Sequence, residues 1–123
     1  MMAKVERDQV REDRIDNEII VDAYSPEEQA MGWYHYLDEK LTFPFRARCI
    51  QKKRISPLRV GEEVKVIEMA PEDDCIKEMF VEIHWLDRAF GVPLAQLEAI
   101  DIDDQSQQGI DDWHYWVARE YTL

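Results

Sequence analysis

At Phe43-Pro44-Phe45 the spacing of apolar residues changes, and that change limits what the chain can fold into. Upstream, Ala30, Trp33, Leu37 and Leu41 recur at intervals of three and four, the stripe of an amphipathic helix. Downstream, Ala47, Cys49, Val60, Val64 and Val66 alternate with charged neighbours, as side chains do on a strand with one buried face. Helical segments followed by several short strands belong to the α+β class.

A first helix is expected over 4–24, with Val5, Ile15, Ile19 and Ile20 inward and the 1–16 extension prone to fraying because its apolar face is thin. A second opens at Ser25-Pro26-Glu27-Glu28, where Ser25 caps, Pro26 suits the first helical position and Glu28 completes a capping box. It should reach about Leu41. Strands are expected at 45–53, 62–69, 79–86 and 89–93, separated by turn signals at Ser56-Pro57, Val60-Gly61, Pro71-Glu72-Asp73-Asp74 and Leu86-Asp87-Arg88. A helical turn at Val92-Pro93-Leu94-Ala95-Gln96-Leu97 leads to a last strand at 98–102. A final helix over about 106–120 places Ile110, Trp113 and Val117 inward. The pattern predicts a small SH3-like antiparallel barrel with two N-terminal helices and one C-terminal helix packed on it, in a single domain over 1–123.

Charge narrows the function. The chain carries 27 acids against 15 bases, a net charge of −12, which is unsuited to nucleic acid or to acidic bilayers. It has no apolar run long enough to span a membrane, and its charged opening lacks the apolar stretch of a signal peptide, so a cytoplasmic monomer is expected. Cys49 and Cys75 are too few for a disulfide framework or a thiolate zinc site and are expected to be reduced and partly buried. His35, His84 and His114 stand singly, and the four glycines are dispersed, so neither a zinc-hydrolase motif nor a phosphate loop is present. No enzyme is expected.

Oxygen chemistry remains. Residues 98–112 hold Glu98, Asp101, Asp103, Asp104, Asp111 and Asp112, and 89–118 contains no Lys or Arg. Asp101, Asp103 and Gln105 alternate like the first half of a calcium loop, with Asp112 where the closing acid would fall. Ser106 in place of the turn glycine and a strand in place of the leading helix exclude an EF-hand, but not the oxygen supply. A second cluster is Glu72-Asp73-Asp74 in a turn opened by Pro71. A third is Asp38-Glu39 near the end of the second helix, where acids face the unfavourable end of the helix dipole. Each alone reads first as a solvated acidic surface; three in one small domain favour a divalent cation.

Several segments resemble the cyanobacterial calcium-binding protein family, CcbP-like and without EF-hands. They are Asp22-Ala23-Tyr24, Ala30-Met31-Gly32-Trp33-Tyr34, Phe43-Pro44-Phe45, Val60-Gly61-Glu62-Glu63-Val64, Met69-Ala70-Pro71-Glu72-Asp73, the Val92–Leu97 turn just quoted, and Asp112-Trp113-His114-Tyr115-Trp116. The resemblance implies an all-oxygen site for one or two calcium ions in a buffer or sensor. It places Asp38, Glu72, Asp73, Asp74 and Asp112 at or beside the matching motifs; Asp101, Asp103 and Asp104 are candidates on the charge argument alone. The rival expectation is a protein-interaction module whose basic residues, Arg46, Arg48, Lys52, Lys53, Arg54, Arg59 and Lys65, dock an acidic partner without metal.

Overall fold

A computed structural model of the chain describes residues 6–121. Asp8 caps the first helix by accepting a hydrogen bond from the Arg11 backbone N–H, and α1 (Gln9–Arg14) runs directly into a wider π-helical turn, Ile15–Ile19. The helix expected over 4–24 is therefore shorter at its C-terminal end, where Asp22 turns the backbone at φ +58°; Lys4 and Val5 lie outside the described residues. α2 (Pro26–Lys40) starts as its sequence dictates, with the Ser25 hydroxyl accepting from the Glu28 N–H at 3.1 Å. The Glu28 carboxylate, however, reaches past the cap to the Tyr24 N–H at 3.2 Å.

The strands are β1 (Phe45–Cys49), β2 (Glu63–Met69), β3 (Phe80–Trp85), β4 (Arg88–Pro93) and β5 (Leu97–Ile100), with 3₁₀ turns at Glu72–Cys75 and Leu94–Gln96. They form one antiparallel sheet in the order β4-β3-β2-β1-β5. β4 and β5 remain its edges, so the closed barrel expected from the sequence is corrected to an open sheet. β2 carries a bulge between Val66 and Glu68: Val64 and Val66 point inward, Ile67 is the extra residue, and Met69 points inward again. α3 (Asp104–Ala118) begins earlier than 106 because Asp103 serves as its cap.

The core joins the inner face of the sheet to α2 and α3. Trp33 on α2 lies 5.0 Å from the Trp113 ring and 5.5 Å from the Trp116 ring, both edge-on, and all three are buried. Trp33, Leu37, Ala47, Val66, Val81, Ile83 and Leu97 are almost wholly withdrawn from water, in one continuous cluster. Both cysteines are buried and free. No helix among the described residues is long and apolar enough to cross a membrane.

Candidate metal centre

Three of the six carboxylates of 98–112, Glu98, Asp101 and Asp112, find cations from distant parts of the chain. Asp112 lies on the inward stripe of α3, one turn from Gly109 and Trp116, and is fully buried. Its Oδ1 accepts from Arg11 Nη1 at 2.9 Å and Arg14 Nη2 at 2.7 Å; its Oδ2 accepts from Arg14 Nε at 2.9 Å and the Tyr36 hydroxyl at 2.7 Å. Burial, then the bond to Asp112, pushes the Tyr36 phenol well up, and the same carboxylate raises the Arg14 guanidinium. Both oxygens of Asp112, expected from the sequence among the calcium ligands, are thus occupied by two charges and a phenol, and the residue is the anion that ties α1 to α2 and α3. Nearby, Glu12 accepts from the hydroxyls of Tyr115 at 2.6 Å and Tyr121 at 2.8 Å, completing a second tie between α1 and α3.

The remaining acids of that stretch do not converge either. Asp103 accepts from the Ser106 N–H at 3.0 Å and the Ser106 hydroxyl at 2.7 Å, and these two bonds hold it below the usual carboxylate range. Asp101, at φ +52°, pairs with Arg46 at 3.3 Å, and Glu98 pairs with Arg48 at 3.1 Å. Asp111 accepts from the Gln107 amide at 2.8 Å, while Asp104 is exposed in the first turn of α3. Asp101, Asp103 and Asp104 are caps and surface groups here, apart from Asp112.

A different group of acids does face one region. Asp38 is exposed near the end of α2, and Glu72, Asp73 and Asp74 are exposed on the 3₁₀ turn beside it. The turn is anchored by Cys75, whose buried sulfur accepts from the Phe80 N–H at 3.4 Å, and by the Asp74 N–H donating to the Pro71 carbonyl at 2.9 Å. Between helix and turn sits the half-buried Tyr34. Burial raises its phenol, and the negative charges of Asp38, Glu72 and Glu68 raise it further, as does Cys75 once its buried thiol ionises at high pH. Three chain segments, α2, β2 and the turn, therefore project one negative potential onto one ring.

Glu68 was missed by the sequence reading, as was Glu82. The two stand directly opposite in the β2–β3 ladder, a like-charge pair that is unfavourable unless a cation intervenes. No sequence signal reveals them, because the bulge at Ile67 sets their register. None of Asp38, Glu68, Glu72, Asp73, Asp74 and Glu82 makes a side-chain hydrogen bond or ion pair with a described residue. Nor, among the described residues, do three His, Cys, Asp or Glu side chains already stand close enough to hold an ion. Exposed carboxylates on an anchored turn, with hard oxygen donors only, nonetheless fit the flexible coordination of calcium better than the soft or nitrogen-rich sets of transition metals.

Comparison with known proteins agrees with this donor chemistry. A family model described as calcium binding, that of CcbP, matches residues 13–117. The crystal structure of Anabaena CcbP is 49% identical, covers 99% of this chain and 100% of its own, and superposes with a TM-score of 0.88. A calcium binding protein in the calcium-binding form is 48% identical over 99% of this chain and 100% of its own, with a TM-score of 0.85. No curated protein matches. With most of its length matched and nearly half its residues identical to a solved relative, the chain belongs to the CcbP family of calcium-binding proteins.

Proposed function

We propose that this protein binds calcium on the face where α2, the Glu72–Cys75 turn and the bulged end of β2 meet, and serves as a cytosolic calcium buffer or sensor. The observation that carries the location is the set of exposed carboxylates from three segments, Asp38, Glu68 and Glu72, none of which makes an ion pair with a described residue and all of which raise the Tyr34 phenol. Family membership and the relative named as calcium-binding support the ion's identity. Asp38, Glu68 and Glu72 are the proposed carboxylate ligands, and Asp73, Asp74 and Glu82 lie beside them for a second ion or for the outer shell. Backbone carbonyls and water complete a shell of six to eight oxygens, with affinity in the range of about 10⁻⁶ to 10⁻⁴ M for a site that must close its own turn. Magnesium, which demands a tight octahedron and gives up water reluctantly, competes poorly.

A calcium titration followed by amide NMR tests both ion and place. Shifts are expected to centre on Tyr34, Asp38 and the 72–75 turn, and Glu72→Gln with Asp38→Asn should weaken binding at least about tenfold, the loss of two charged ligands. Calcium at about a hundred times its dissociation constant should stabilise the fold by about 2.7 kcal/mol, and a chelator should reverse this. Shifts confined to 101–112 would move the site; a flat titration would remove it.

A further inference from the structure

The basic residues that cluster in the middle of the sequence separate into two populations in space. Arg46 is held by Asp101 and lies 3.7 Å from Glu63, and Arg48 is held by Glu98. Lys52, Lys53 and Arg54, in the β1–β2 loop, form no ion pair or side-chain hydrogen bond with any described residue. In a protein of net charge −12 with carboxylates to spare, three uncompensated cations side by side are the exception.

The loop displays them on a built frame. Leu58 is 1% exposed and plugs the loop into the core, and its N–H donates to the Ser56 hydroxyl at 3.2 Å. The Ser56 N–H closes a turn onto the Lys53 carbonyl at 3.2 Å, and Gly61, at φ +95°, returns the chain to the Cys49 carbonyl at 2.8 Å. On this frame Ile55 and Val60 are each 65% exposed, so apolar surface alternates with positive charge. Repulsion explains neither the gathering of the cations nor the outward isoleucine; a complementary occupant explains both.

We infer that the 50–60 loop docks an acidic, apolar-bearing peptide segment of another protein, and that it does so alongside calcium binding rather than in place of it. A peptide is favoured over a phosphate polymer by charge balance. A duplex brings one negative charge per ~1.7 Å along its axis and would press most of them against the acidic remainder of this protein. A short segment concentrates its charge on the loop. The loop and the acidic turn lie at opposite ends of β2, whose seven residues span roughly 20 Å at ~3.3 Å each. That exceeds the Debye length of ~8 Å at physiological salt, so docking is indifferent to calcium.

Fluorescence anisotropy with the full chain and a fluorescein-labelled peptide of alternating Glu and Leu tests this. Binding should weaken with added salt and fall about tenfold or more in Lys52→Gln/Lys53→Gln/Arg54→Gln, the summed loss of three exposed charge pairs. Ile55→Ser should weaken it roughly fivefold through lost apolar contact. Both variants should melt like the parent and keep its calcium stabilisation, which separates failure here from failure of the calcium reading. The inference is overturned if the triple variant binds the peptide as well as the parent, if an all-Glu peptide binds equally, if binding requires calcium, or if phosphatidylserine vesicles or duplex RNA bind where the peptide does not.

Discussion

The 98–112 segment and the acidic turn at Glu72–Cys75 carry the same kind of residue, yet the fold treats them in opposite ways. In the first, Arg11, Arg14, Arg46 and Arg48 arrive from far along the chain and occupy Asp112, Asp101 and Glu98. In the second, Asp38, Glu68, Glu72 and Glu82 lie on four segments, α2, β2, the turn and β3, and none makes an ion pair with a described residue. The first region uses its charge to hold helices together. The second leaves Asp38, Glu68 and Glu72 exposed and without ion pairs to described residues, which is why the calcium site is proposed there. Crowding of acids along a sequence is thus a poor guide to negative potential; what matters is which bases share the neighbourhood after folding.

The largest test of that contrast is Asp112→Asn. It removes the counter-charge of two arginines from a buried position, and should cost about 3–5 kcal/mol in urea denaturation while the folded protein keeps its calcium affinity. Lost affinity at unchanged stability would erase the distinction between the two regions.

Acid offers the next test. Burial alone would raise Glu12, but the hydroxyls of Tyr115 and Tyr121, with the charges of Arg7 and Arg119, outweigh it and leave the group below its ordinary 4.5. A lowered value in the folded state means that the unfolded chain binds the proton more readily. The stabilisation is complete above about pH 4.5 and drains away as pH falls through the lower, folded value. Tyr115→Phe should flatten this loss in calcium-free protein, and Glu72→Gln should leave it alone; equal effects would mean that the acidic turn is also a structural element.

The smallest effect has the opposite sign. Glu68→Gln relieves the cross-strand repulsion with Glu82 and should stabilise the calcium-free protein by about 0.2–1 kcal/mol while reducing the stabilisation that calcium adds. Thermal melts with calcium and with chelator measure both. Destabilisation of the calcium-free form would show that Glu68 already has a partner.

Much of the architecture was legible because local rules and tertiary structure agree. Ser25 and Pro26 start α2 where a cap and a first-turn proline should, and of the period-two residues Ala47, Cys49, Val64 and Val66 face inward, while Val60 lies exposed in the loop before β2. The sheet's failure to close was not legible, since closure depends on how far β4 and β5 diverge at the edges. Of the acids proposed for the site, Asp38 and those at 72–74 were expected to be solvated and are exposed, whereas Glu68 and Glu82 depend on a ladder register that no local pattern sets. The burial of Asp112 was readable. The same three-and-four spacing that puts Gly109, Trp113 and Trp116 inward puts Asp112 there too, and a carboxylate on an apolar stripe calls for a buried base before it calls for a metal.

Gly32 has a consequence for motion. A methyl group at this position of α2 would fall on the Ile19 carbonyl, so the two backbones touch with no side chain between them. A helix seated that tightly has no slack along that flank to roll or slide, since close-packed contacts yield in steps rather than by degrees. If the proposed site beside Asp38 closes on an ion, that seat makes the helix the fixed wall and leaves any movement to the short turn across from it.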